Sequence, residues 1–312
     1  MDDVSRVLSA YPGGLASAPR QPLGSRGGFS GALLWQLATP AGPLCLRAGA
    51  PAETRAHLAQ RHALMARARA AGLAFVPAVL PAGHGGTVVE WAGRCWEVMD
   101  WARGVADFAA CPTDARLRSA AAGLARLHLA WQDCGGAAGP VPAVRRRLEA
   151  ARRYSPGGGR GGAEGDPLLV RLRQVLSLRV DEAVRRLRAW ETFACAVQPC
   201  LRDVWHDHLL FEGDELTGLV DYAAVGPDGV AADLARMLGS LVQDDDARWG
   251  SALGAYRAVR PLSADEERLA RVLDRTGVVC ALATWAGRLA AGQATGVGRA
   301  RVEGLLRRAA GW

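Results

Sequence analysis

Asp203, His206, Asp207 and His208 fall within one six-residue stretch, and Asp221 follows after the apolar Leu209-Leu210-Phe211, a turn over Gly213-Asp214 and the run Leu216 to Val220. Carboxylates and imidazoles this dense could do two kinds of work. They could ligate an ion and lower the pKa of a bound water, as in a metal-dependent hydrolase built on His206-Asp207-His208 with Asp203 and Asp221. Alternatively, two carboxylates could divide the labour of phosphoryl transfer, one orienting the attacking hydroxyl and the other holding the ion that neutralises charge on a nucleotide's phosphates. The hydrolase reading needs further ligands, and the other four histidines show no ligand spacing. Phosphoryl transfer needs an upstream loop and a basic residue to cradle the phosphates.

Both are present upstream. Gly24-Ser25-Arg26-Gly27-Gly28-Phe29-Ser30-Gly31 is a glycine-dense loop at the entrance of a hairpin, Ala32 to Leu37 and Leu44 to Arg47, joined over Pro40-Ala41-Gly42-Pro43. Backbone amides freed of side chains approach an anion closely there. The chain has no lysine, so its 38 basic residues are all arginine, and a lysine-dependent P-loop is excluded. The phosphate-binding cation must be an arginine, and Arg47 ends the hairpin.

The elements that would carry these groups change character along the chain. Residues 1–22 read as a lead-in segment with a short helical patch. The spacing predicts a helix over 53–71, and Phe75 to Leu80, Thr87 to Trp91 and Arg94 to Trp101 read as strands. Residues 1–102 thus form a small β-rich lobe, and residues 103–312 a larger, mostly helical one: an α+β chain in two lobes. Thr113 is placed to cap a helix over 114–131. Ser155 to Asp166 reads as a low-complexity surface loop, and Pro167 to Val197 as one or two helices. Trp249, Tyr256 and Trp285 are candidate core aromatics.

A formal charge of +7 could suit nucleic acid, but the arginines sit at helical spacing among leucines, as in Arg185-Arg186-Leu187-Arg188, and read as solvated helix faces. No nucleic-acid partner is expected. Seven scattered cysteines without a Cys-x-x-Cys pair fit a reduced, cytoplasmic compartment. No signal peptide is expected from Met1-Asp2-Asp3, and the longest apolar run, Gly277 to Gly287, is too short to span a bilayer, so no membrane association is expected.

Taken in order, these motifs resemble the aminoglycoside phosphotransferase and choline kinase family, which has the protein-kinase fold. That family's catalytic loop has the form H-G-D-x-x-x-x-N, followed by an apolar run, a turn and V-I-D-F. Counting back from Asp221 in Leu219-Val220-Asp221-Tyr222 puts the family's catalytic aspartate on Asp203 and its asparagine on His208. Leu201-Arg202 replaces His-Gly. Ala232-Asp233-Leu234-Ala235 is similar to the family's D-L-A, whose aspartate braces the catalytic loop, and Leu124 to His128 resembles the helix before it. Glu97 to Gly104 is similar to the hinge that faces adenine.

The resemblance implies an ATP-dependent phosphotransferase acting on a small-molecule hydroxyl acceptor such as an amino alcohol, sugar or aminoglycoside. Asp203 would be the base, and His208 and Asp221 would ligate Mg2+, with Mn2+ an alternative because imidazole is the softer donor. Gly27, Gly28, Ser30, Arg47, Asp100 and Trp101 would hold the nucleotide. For the helix glutamate that usually pairs with the basic residue, Glu53 is nearest, while the family's offset falls at Gln60 to His62. Asp244-Asp245-Asp246 could form an acidic acceptor patch or a solvated helix start. Because of the departures from the motif, a kinase-fold nucleotide-binding module without transfer remains a second reading beside the enzyme.

Overall fold

The structure, a computed structural model, describes residues 2–24, 31–153, 165–294 and 296–311. Asp2 accepts the Ser5 amide and starts helix α1 (Asp3–Leu8). Val7 and Leu8, with Tyr11 and Leu15 beyond them, are buried in the core under the first sheet. The opening residues are therefore part of this core, not a lead-in to it. Strands β1 (Arg20–Gly24), β2 (Leu33–Thr39) and β3 (Gly42–Ala48) follow, then helix α2 (Arg55–Ala70), capped by Thr54. β4 (Val89–Trp91) and β5 (Arg94–Asp100) complete an antiparallel sheet of order β1-β2-β3-β5-β4. Leu44, Leu46 and Ala48 of β3 pack on the core side of the sheet. Strand alternation turns Cys45 and Arg47 to the opposite face, and the β3–β5 register sets Arg47 directly across from Glu97.

The strand expected over Phe75 to Leu80 does not form. Pro77 and Pro81 remove ladder donors and restrict their neighbours, and the segment keeps one bridge, Val79 to Met99.

Thr113 caps α3 (Asp114–Trp131). β6 (Ala138–Pro140), α4 (Pro142–Arg153) and a single α5 (Pro167–Arg188) follow, the last capped by Asp166. Residues 154–164, which take in most of the low-complexity loop Ser155 to Asp166, lie outside the described residues. β7 (Ala194–Ala196) pairs with β6, and β8 (Gln198–Cys200) leads into the loop of Asp203. A 3-10 turn over His206–His208 enters the hairpin β9 (Leu209–Glu212) and β10 (Glu215–Leu219). β11 (Gly226–Asp228) pairs with β8, and α6 (Ala231–Leu241), α7 (Asp246–Arg257), α8 (Ala264–Ala290) and α9 (Gly296–Ala310) end the chain. The apolar run of α8 is buried with residues of α5 and α9. Trp249 and Tyr256 are fully buried and Trp285 nearly so. No described helix is long and apolar enough to cross a membrane.

The chain divides into two compact units, Met1–Phe108 with Asp207–Ala223, and Ala109–His206 with Ala224–Trp312. The β9–β10 hairpin therefore returns to the first unit instead of staying with the helices. Main-chain bonds hold it there: the Val105 and Phe211 amides each donate to the other's carbonyl at 3.0 Å, and the Leu219 amide donates to Phe75 at 2.8 Å. Gly104, at φ +93°, permits this approach, since a β-carbon there would lie 2.5 Å from Thr217 Oγ1.

Candidate active site

The hairpin brings His208 and Asp221 together. Leu209 pairs with Leu219, and the Val220 amide donates to the His208 carbonyl at 3.0 Å, so the two ends of the hairpin meet. His208 Nε2 lies 3.6 Å from Asp221 Oδ2, with the imidazole largely buried and the carboxylate half exposed. Asp221 adopts a left-handed φ of +63°, which aspartate tolerates better than most side chains, and its Oδ1 accepts the Ala223 amide at 3.2 Å. Two ligands about 2.1 Å from one ion stand about 3.0 Å apart at a right angle and further apart at wider angles. A nitrogen and a carboxylate oxygen 3.6 Å apart would subtend about 118° at such an ion, so a shared Mg2+, which demands near-octahedral angles, would draw the two closer together. The chain contains no asparagine at all, so an amide oxygen of that residue is missing from its whole repertoire.

His206 and Asp207 do not join this pair. The His206 ring stacks edge-on against Trp205 at 4.6 Å and its amide donates to Ser240 Oγ, while Asp207 is exposed. Among the described residues, the His-Asp-His triplet does not bring its ligand atoms within 4.8 Å of one another.

Asp203 belongs to the second unit, where a buried network sets its backbone. Asp233, on the first turn of α6, accepts the Leu201 amide at 2.7 Å and the Arg202 amide at 2.6 Å. Its Oδ2 also meets His128 Nε2 at 3.1 Å, His128 Nδ1 meets the Tyr256 hydroxyl at 2.8 Å, and Gln198 donates to the His128 carbonyl. Burial lowers the His128 pKa despite the hydrogen bond to Asp233, so the ring is neutral, donating through Nε2 and accepting through Nδ1. Arg202, at φ +63°, turns the loop immediately before Asp203. Among the described residues, His128, Cys200 and Asp233 are the group whose ligand atoms converge, within 4.8 Å. They serve as a brace and not a metal centre, because both imidazole nitrogens are engaged and burial holds the Cys200 thiol protonated.

The Asp203 carboxylate is gripped by Arg236, whose Nε and Nη2 both reach Oδ1, at 3.0 and 2.9 Å. The Arg236 guanidinium also lies 5.6 Å from the Trp205 ring centre, and that of Arg301 lies 4.2 Å from it. Sequence reasoning missed Arg236. The signal was available: it stands three residues after Asp233, on the same helix face.

In the first unit Arg47 is not a lone cation. Its Nη1 donates to Glu53 Oε2 at 2.8 Å and to Glu97 Oε1 at 2.7 Å. Arg61 of α2 donates to the same two acids, each at 2.7 Å, and His62 Nε2 meets Glu97 Oε2 at 2.5 Å. Glu53 does pair with Arg47, but from the loop before α2. The helix itself contributes Arg61 and His62, no glutamate. Burial raises the Glu97 pKa, yet the His62 hydrogen bond and the charges of Arg61 and Arg47 outweigh it and bring the carboxyl from 4.5 down to about 2. A depressed carboxyl stabilises the fold above its unfolded pKa and loses that contribution as pH falls through the folded one. The shift corresponds to about 3 kcal/mol, lost between pH 4.5 and about 2. Denaturant titrations across pH 5 to 2 should show this slope, and Glu97→Gln should flatten it.

The remaining nucleotide candidates stand as follows. Gly27, Gly28 and Ser30 lie outside the described residues. Asp100 ends β5, exchanging main-chain and side-chain bonds with Ala78, and the Trp101 amide donates to Pro43. The acidic triplet is a helix start: Asp244 pairs with Arg308, Asp245 caps α7 and Asp246 pairs with Arg271. Each carboxylate already has a partner, so the triplet is not an open acidic patch.

The family described as "Phosphotransferase enzyme family" matches residues 26–273. A homoserine kinase of Cupriavidus pinatubonensis is 30% identical over 237 residues, 72% of this chain and 67% of that protein. The chain spans between 28 and 67% of the length of the homoserine kinases it matches. The fold is similar to that of a spectinomycin phosphotransferase solved with ADP and spectinomycin, with a TM-score of 0.67 at 11% identity, covering 93% of this chain and 87% of that one. It is also similar to that of an amicoumacin kinase solved with AMP-PNP, Ca2+ and its antibiotic, with a TM-score of 0.60 at 12% identity over 89 and 85% of the two chains. With a kinase-like α+β fold and a match running from the glycine-rich loop to α8, the chain belongs to the phosphotransferase enzyme family.

Proposed function

We propose that the protein transfers the γ-phosphate of ATP to a hydroxyl of a small molecule. The observation that carries this reading is the hairpin that sets His208 against Asp221, on a chain whose Asp203 loop is braced by Asp233. Asp203 accepts the proton of the attacking hydroxyl, and Arg236 fixes the orientation of its carboxylate. His208 and Asp221 would hold a divalent ion, which when bound neutralises charge on the phosphates. Arg47 would be the arginine that meets those phosphates. Mg2+ is the first ion to test, with Mn2+ beside it. Homoserine is the first acceptor to test, because the curated relatives are homoserine kinases, and aminoglycosides and amino alcohols follow.

The test is ADP release from ATP with Mg2+ or Mn2+ across that acceptor panel. The expected result is acceptor-dependent ADP release with at least one of them. If neither ATP nor AMP-PNP binds with either ion, the reading fails. The hydrolase alternative finds no support in the family match, and the His-Asp-His triplet does not converge.

His208 makes a sharper prediction. Replacing it by asparagine supplies the harder amide oxygen, so the ratio of Mg2+-supported to Mn2+-supported turnover should rise, by about fivefold. An unchanged ratio would remove His208 from the ion.

A further inference from the structure

Kinases of this fold usually hold the basic residue of the third strand with a glutamate from the following helix. Here that helix offers Arg61 and His62 to the same place, and the acids come from elsewhere. We infer that Glu97 on β5 and Glu53 in the loop before α2 are the positioning residues for Arg47, with Arg61 as the countercharge that lets two acids share the site. This rests on the reading of Arg47 as the ligand of the nucleotide's phosphates.

Both acids act on one nitrogen of Arg47, Nη1, at 2.8 and 2.7 Å. Neither engages its Nη2 or Nε, so the guanidinium is pinned at one corner while the rest of its fork of donors is left to an anion. Arg61, by contrast, uses Nη1 for Glu53 and Nη2 for Glu97 and is nearly buried. Two arginines against two glutamates sum to zero. Without Arg61, two acids would face Arg47 alone, and the site would repel phosphate. The geometry is tight at both acids. Glu97 is fully buried and stands directly across the β3–β5 ladder from Arg47, and its second oxygen is tied to His62, whose Nδ1 meets Thr87 at 2.7 Å. Glu53 folds back over Gly49, where an added β-carbon would stand 2.2 Å from Glu53 Oε2 and 3.1 Å from the Cys95 carbonyl. A glycine at 49 is what lets that carboxylate reach Arg47. Arg47 is thereby set before any nucleotide arrives, with no helix movement needed to deliver its partner.

The test measures binding of AMP-PNP with Mg2+ and, separately, of adenosine, which carries no phosphate. Glu53→Gln and Gly49→Ala should each weaken AMP-PNP by about tenfold and leave adenosine unchanged. Arg47→Met should do the same. Glu97→Gln should match them where it folds, and the Glu53 and Gly49 variants decide the matter where it does not. If Arg47→Met weakens AMP-PNP while Glu53→Gln and Gly49→Ala do not, the inference falls and the phosphate role of Arg47 stands. If Arg47→Met leaves AMP-PNP affinity intact, the phosphate role falls and takes the inference with it. Equal loss for adenosine and AMP-PNP in the Glu53 and Gly49 variants would mean general damage to the unit and would also overturn positioning.

Discussion

Asp203→Asn should lower acceptor-dependent turnover by a factor of about 10²–10⁴ while nucleotide affinity and thermal stability stay close to those of the parent. Asparagine keeps the volume and the Oδ1 that Arg236 grips, and it alters none of the bonds by which Asp233 holds the loop. What it removes is the anionic oxygen that can take a proton from an attacking hydroxyl. The ion pair with Arg236 is also weakened, but with 43% of the Asp203 side chain exposed that pair contributes little to stability. ADP release with the responding acceptor, AMP-PNP titration and thermal melting together separate the outcomes. Full turnover in a folded variant would remove Asp203 from the chemistry and leave another group to take the proton of the attacking hydroxyl.

The site was legible in sequence where its parts are close along the chain. Asp203 and Asp221 are linked by a loop and a hairpin whose turn residues and apolar runs are all visible, so their register could be counted, and the hairpin then set Asp221 beside His208. Asp233 was legible through the resemblance of Ala232 to Ala235 to a known motif. The environment of Arg47 was not. Its main partner, Glu97, lies 50 residues away, and only the β3–β5 register makes the two neighbours. No local pattern in Arg94 to Asp100 marks one of its residues as the partner of an arginine two strands earlier. The short helical patch at the start was legible, but its place in the core was not, for a similar reason: Val7, Leu8, Tyr11 and Leu15 are too few for a convincing periodicity, and only the sheet core they fill shows their purpose. The hairpin's return to the first unit rests on main-chain bonds to Phe75 and Val105, which carry no side-chain signature.

Asp233→Ala should be the most destructive single change in the second unit, costing about 3–5 kcal/mol of stability and all turnover. The carboxylate is fully buried and accepts two main-chain N–H groups together with His128. Alanine would leave the Leu201 and Arg202 donors and the His128 Nε2–H without a partner in a place water does not reach. Arg202 also holds a left-handed backbone that costs a residue with a β-carbon about 1–2 kcal/mol, and the bond to its amide is one of the restraints that keeps it there. Once that turn relaxes, Asp203, the next residue, cannot keep its place beside Arg236. Denaturant unfolding and turnover should therefore fail together in Asp233→Ala, whereas Asp203→Asn should separate them. Asp233→Asn should be little better than alanine. Three donors converge on that carboxylate, and an amide puts its own N–H against at least one of them. A variant with asparagine at 233 that kept parental stability would mean that the loop is shaped by something other than this carboxylate.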